Sequence, residues 1–201
     1  MEEIKYLEKP EWVSWNDVLS CLHEAHKVNK RKGFTMPGYN MTMEEFEEKL
    51  GDGKCFVALD GNKVIGVNSV KFIKSRRWCT WGKRVAYCGL DGILKAYQGT
   101  DVYSSLNAIR NKCIDENKVE AIEFNTAEHN KAIIKQSIKR GAKMVQYARI
   151  TKEGYHPVVL VRWLHGCPYP DWFCNFMFKL SKGLVKIIWR SDRHLKGVKS
   201  A

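Results

Sequence analysis

A chain of 201 residues, 44% apolar and 28% charged, is long enough to bury one good hydrophobic core and has the composition of a globular protein. The charged start from Met1 to Pro10 and the absence of any run of roughly eighteen apolar residues argue against a cleaved leader and a membrane span, so the expectation is a cytoplasmic protein. The net charge of +12 is uneven: residues Trp172 to Ala201 carry seven Lys or Arg against the single acid Asp192. The seven cysteines are odd in number and free of any C-x-x-C pair, which argues against a disulfide framework and a zinc knuckle.

In chain order, Glu3 to Leu7 is a short strand candidate, and Ser14 opens a helix to about Val28 with Trp15, Val18, Leu19, Leu22 and Ala25 on one face. Thr42 and Glu45 form a capping box ahead of Phe46 and Leu50, so a second helix starts there. Lys54 to Leu59 and Lys63 to Phe72 read as strands joined by the turn Asp60-Gly61-Asn62. Arg84 to Leu94 is the fourth strand, and a helix with Val102, Leu106, Ile109 and Cys113 on one face runs to about Asn117. Val119 to Phe124 is the next strand, Glu128 to Arg140 a helix stopped by Gly141, and Ala142 to Thr151 with His156 to Leu164 a hairpin through Glu153-Gly154.

Between the fourth strand and the third helix, Ile93 to Tyr103 passes from an apolar strand through the turn Gln98-Gly99-Thr100 into an amphipathic helix. Such a turn presents backbone N–H groups beside the positive end of a helix dipole, which is the geometry of an anion site. A strand, helix and strand joined so tightly are parallel with a right-handed crossover, which puts the helix start at the carboxyl end of the first strand.

The order β-α-α-β-β-β-α-β-α-β-β, with the glycine turn in that place, resembles the GNAT acetyltransferase superfamily over about residues 3–164. The resemblance implies an α/β (α+β) fold: a mixed, mostly antiparallel seven-stranded sheet with a parallel central strand-helix-strand unit and helices on both faces. It further implies a domain over 1–165, with 166–201 as a C-terminal extension. The superfamily carries Q/R-x-x-G-x-G/A in the turn, where backbone amides hold the pyrophosphate of acetyl-CoA. Gln98 and Gly99 fit, while Asp101 and Tyr103 stand where small residues are usual. The implied cofactor-binding residues are Ile93, Leu94, Gln98, Gly99, Thr100, Asp101, Val102 and Tyr103, with Asn130 after the fifth strand. Ser137 occupies the place of a tyrosine that often protonates the departing thiolate.

Acyl transfer to an amine needs a base, because a lysine-like ammonium of pKa ~10.4 cannot attack. It also needs an N–H donor for the oxyanion, which an irregular fourth strand can supply. By the two-residue period Tyr87, Gly89 and Asp91 share one face of the fourth strand, so Asp91 is the expected base and Tyr87 a possible acid or substrate contact. The implied function is acyl-CoA-dependent N-acyltransfer, in the simplest case of acetyl from acetyl-CoA, to a small-molecule, glycan-precursor or lipid-precursor primary amine. The alternative is a catalytically inactive GNAT-like binding or regulatory module, to which Asp101, Tyr103 and Ser137 point. His23 and His26 lack a third ligand, so no metal is expected, and without a recognised nucleic-acid motif no nucleic-acid partner is expected either.

In the extension, Asn175, Lys179, Lys182, Lys186, Arg190 and Arg193 recur at helical spacing as a basic stripe. Trp172, Phe173, Phe176, Met177, Leu180, Leu184, Ile187 and Ile188 form a broad apolar face beside it. The expectations for 172–193 are packing on the domain, a homodimer contact, or peripheral contact with an anionic membrane at its inner face.

Overall fold

The computed structural model describes residues 3–31, 36–151 and 154–197. Seven strands form one sheet in the order β1-β2-β3-β4-β5-β7-β6, mostly antiparallel with β4 and β5 parallel, which is the architecture expected from the sequence. The strands are β1 (Lys5–Glu8), β2 (Lys54–Asp60), β3 (Lys63–Lys74), β4 (Arg84–Ile93), β5 (Ala121–Ala127), β6 (Lys143–Tyr147) and β7 (Pro157–Trp163). The helices are α1 (Trp15–Arg31), α2 (Met43–Leu50), α3 (Val102–Glu116), α4 (Lys131–Lys139) and α5 (Asp171–Gly197). Two compact units divide the chain, residues 1–122 and 123–201.

In the first unit the caps follow from local chemistry. Ser14 Oγ accepts the Asp17 N–H at 3.1 Å and donates back to the Asp17 carboxylate at 2.7 Å, which starts α1. Thr42 Oγ1 accepts the Glu45 N–H at 3.2 Å and Glu45 Oε2 accepts the Thr42 N–H at 3.1 Å, the reciprocal box read from the sequence. Phe46 and Leu50 then bury on one side of α2. β2 is buried on both faces through Cys55 to Leu59, which explains its unbroken apolar run.

The two faces of β3 and β4 carry different helices. A methyl group at Gly66 would stand 2.9 Å from Leu106 and 3.3 Å from Val102, both on α3. One at Gly92 would stand 3.0 Å from Leu22 and 3.1 Å from Ala25, both on α1. Helices therefore cover both faces of this part of the sheet. A turn of 3-10 helix, Lys95–Tyr97, links β4 to α3, where the sequence reading had strand through Leu94 and then the glycine turn.

In the second unit, Ala142, Tyr147, Val158 and Leu160 form a core against which Phe124, Ile134, Met144, Phe178 and Val185 pack. Gly141, at φ +86°, ends α4, with the Ala142 N–H reaching back to the Ser137 carbonyl at 3.0 Å. β6 is shorter than the sequence suggested, and Glu153 of its expected turn lies outside the described residues. None of the seven cysteines is bridged, and six of them are buried.

The close approach at Gly92 sets a test. Gly92→Ala must push Leu22 or Ala25 aside at 3.0–3.1 Å and is expected to lower stability by about 1–3 kcal/mol in denaturant melts. An unchanged midpoint would show that α1 is not held this tightly on β4.

Candidate active site

β4 is irregular where the chemistry is expected. Ser69 pairs with Gly89 and Val67 with Gly92, so Leu90 and Asp91 together stand opposite the single residue Asn68. That is a β-bulge, and Leu90 takes φ +51° to make it. The extra residue breaks the two-residue period. Cys88 lies near Arg110 on α3, Asp91 contacts the same arginine, and Gly92 faces α1. The expectation that Tyr87, Gly89 and Asp91 share one face is therefore corrected: the bulge turns Asp91 to the α3 side, and Tyr87 and Gly89 point to the α1 side with Ser69 and Lys71 opposite them.

Asp91 is held on every side. Nη1 of Arg110 donates to both carboxylate oxygens, at 2.8 and 3.0 Å, and to the Ser69 carbonyl at 3.3 Å. Nη2 of Arg110 donates to Asn107 Oδ1 at 2.5 Å. The carboxylate also accepts the Ser69 N–H, and Ser69 Oγ donates across the bulge to the Gly89 carbonyl at 2.6 Å. From the α1 side the His26 imidazole donates to the Asp91 main-chain carbonyl. Burial raises the Asp91 carboxyl above its ordinary pKa, against the opposite pull of Arg110 and the Ser69 N–H. Burial also works against the charge of Arg110, but Asp91 more than restores it, so the guanidinium stays above its ordinary value.

Arg110, Asn107, Ser69 and Asn68 were not singled out from the sequence, and His26 was weighed there only as a metal ligand. A signal existed for two of them. Asn107 and Arg110 fall on the inward face of α3 among Leu106, Cys113 and Ile114, and polar residues at core positions of a helix demand partners. Asn68, opposite the bulge, is 1% exposed, and neither atom of its side-chain amide has a protein partner among the described residues. His23, paired with His26 in the sequence, instead meets the Met41 carbonyl at 2.8 Å.

The turn beyond β4 is tied by its own residues. Gln98 Nε2 donates to the Ile93 carbonyl at 3.0 Å, and the Leu94 N–H donates to the Ile65 carbonyl at 2.9 Å. The Tyr97 hydroxyl donates to Asp60 at 2.5 Å, and Thr100 Oγ1 donates to the Tyr97 carbonyl at 2.7 Å. Gly99 sits at φ +86° with open space where a side chain would be. Among the described residues the turn does not take up the N–H groups of Gly99 and Asp101, and the Val102 N–H has only Thr100 Oγ1, at 3.4 Å. Asp101 caps α3 by position, but its exposed carboxylate makes no capping bond. Leu94 and Val102 bury their side chains and offer only main chain, while Tyr103 is half-buried near Arg110.

This donor set fits an anionic ligand: main-chain N–H groups at an open glycine turn ahead of a fifteen-residue helix, with no side chain filling the approach. In the second unit, Asn130 precedes α4 and donates through Nδ2 to Thr126 Oγ1 at 3.1 Å. Ser137 is half-buried on α4, with its carbonyl engaged by the stop at Gly141.

Two outcomes test the grip on Asp91. Arg110→Met strands a carboxylate that is only 30% exposed and is expected to cost about 3 kcal/mol, whereas Asp91→Leu with Arg110→Met costs much less. Equal losses in the two variants, by denaturant melts, would contradict the pairing. His26 is pushed down to about 4 from 6.5, chiefly by burial. The unfolded chain then takes up a proton that the native imidazole refuses, so this contribution to stability is complete above pH 6.5 and is lost as pH falls toward 4. Melting temperature against pH should therefore fall less steeply across that window in His26→Gln than in the parent chain.

Neither a protein-family profile nor a curated protein matches the sequence. Solved structures do match. A probable acetyltransferase from Staphylococcus epidermidis superposes with TM-score 0.61 at 10% identity, covering 81% of this chain and 99% of that one. A GNAT family acetyltransferase from Elizabethkingia anophelis with acetyl-CoA bound gives 0.58 at 11% identity, covering 82% and 100%. Arabidopsis thaliana NAA60 in complex with a bisubstrate analogue gives 0.57 at 15%, covering 80% and 98%. These chains are matched nearly end to end, and the fold of this protein is that of the GNAT acetyltransferases.

Proposed function

We propose that this chain is an acyl-CoA-dependent N-acyltransferase, in the simplest case an acetyltransferase, acting on a primary amine. The observation that carries the reading is one continuous unit: the bulge at Leu90 and Asp91, followed by the Gly99 turn with untaken N–H groups, followed by α3. The turn suits the pyrophosphate of a CoA thioester, with Gly99, Thr100, Asp101, Val102 and Tyr103 contributing main chain. Gln98 keeps the turn in shape through the Ile93 carbonyl. The side chain of Asp101 bears a charge that repels phosphate, so its backbone alone serves binding.

In the reaction a neutral amine attacks the thioester carbon, the C–N bond forms, the C–S bond breaks, and the amine's proton passes to base or water. A main-chain N–H at the bulge is proposed to meet the oxyanion. Asp91, expected as the base, is assigned a positioning role, because Arg110 and Ser69 already use its oxygens. Tyr87 is the ionisable hydroxyl on the other side of β4 and is proposed to contact the reacting groups. The thiolate needs the least help, since a thiol of pKa about 8.5 leaves without full protonation, and Ser137 in place of an acid is compatible with turnover.

Calorimetry with acetyl-CoA, CoA and longer acyl-CoAs tests this reading. Binding is expected, weakened about tenfold in Gly99→Val because a β-branched residue resists φ +86°. Tyr87→Phe should lower turnover of an amine panel with CoA affinity unchanged. No heat with any thioester would overturn the reading, and binding without transfer to any amine would favour the inactive module.

A further inference from the structure

α5 carries three parallel rows of residues, each at helical spacing, and one of them is turned into the core of the second unit. Cys174, Phe178, Ser181 and Val185 face the second unit: Cys174 is 1% exposed, Phe178 and Val185 pack on the core, and Ser181 Oγ accepts the Tyr147 N–H at 2.9 Å. Lys143 pairs with Asp171 at 2.8 Å at the start of the helix. The second row is apolar and exposed: Trp172 69%, Phe176 54%, Leu180 44%, Leu184 51% and Ile187 64%. The third contains Asn175, Lys179, Lys182 and Lys186, with Lys179 and Lys186 exposed and Lys182 lying 5.2 Å over the Tyr147 ring. In the sequence its spacing continues through Arg190 and Arg193. The packing expected of this helix therefore occurs, but through a row that leaves most of the large apolar side chains in water.

We infer that the exposed side of α5 lies in the plane of an anionic lipid bilayer, with the apolar row in the acyl boundary and the basic row among the headgroups. Among the described residues no helix is long and apolar enough to cross a membrane, so contact is interfacial. The charge pattern selects the occupant. A second copy meeting this helix through the same face would bring the same lysines and no acidic row to meet them, since Asp171 is already paired and Asp192 is the only other acid in the helix. Anionic headgroups supply the missing countercharge along the whole row. Trp and Phe at one end, Leu and Ile along the middle, and lysine stems that reach sideways to the headgroups are the composition that binds such a surface. This inference is independent of acyl transfer.

The test is co-sedimentation of the full chain with phosphatidylcholine vesicles, with and without phosphatidylglycerol. Binding to the anionic vesicles alone, reduced by salt, is expected. Lys179→Gln with Lys186→Gln should lower partitioning about twenty-five-fold, at roughly fivefold per lysine. Leu180→Ser with Leu184→Ser should abolish it at any salt. All four side chains are exposed, so thermal melts of both variants should match the parent chain. Equal recovery with anionic vesicles, neutral vesicles and none would overturn the inference. So would a dimer seen by light scattering and dissociated by Leu184→Ser, which would assign the face to a second copy.

Discussion

Asp91 is gripped from both sides of the sheet, by Arg110 of α3 at its carboxylate and by His26 of α1 at its carbonyl. The geometry of the site depends on this grip. A bulge is a local defect in a ladder, and nothing in β-pairing alone says which residue is the extra one. Here the choice is enforced by an ion pair, by Ser69 bonding on either side of the extra residue, and by Gly92, which lets α1 approach. A buried ion pair adds little net stability over apolar packing, but it strongly penalises any register that separates its partners. Its value in this protein is the fixing of one strand irregularity.

In the proposed reaction, that irregularity joins fold to function. A regular β4 would bury all its N–H groups in ladders and leave none for a developing oxyanion. With the bulge in place, the strand leads through a short 3-10 turn to Gly99, whose positive φ exposes main-chain donors at the start of α3. In the proposed reaction, oxyanion and pyrophosphate are both met by backbone. The turn takes this shape with Asp101 and Tyr103 standing where the resemblance leads one to expect small residues.

Most of the fold was legible because it is written in local patterns: the capping box at Thr42, the hairpin at Gly61, the stop at Gly141 and the strand-turn-helix order. Of the candidate site, only the turn at Gly99, which is set by main chain, was legible. The side chains around Asp91 were misassigned because periodicity presumes a regular strand, and one positive φ at Leu90 moves every later residue to the other face. Arg110 and His26 reach Asp91 from helices far along the chain, a contact with no sequence-local signature. α5 was read as a basic stripe beside a broad apolar face. The pattern could not show that a narrower row, including Ser181, does the packing and leaves Phe176, Leu180 and Leu184 outside it.

The most direct measurement of the central claim is a crystal structure of the chain with an acetyl-CoA analogue. The account predicts the pyrophosphate within hydrogen-bond reach of the Gly99 and Asp101 N–H groups. It also predicts the thioester carbonyl against the main chain at Leu90 and Asp91, with the Arg110 and His26 contacts unchanged. A ligand bound away from the turn, or a β4 that loses its bulge when the ligand binds, would contradict it.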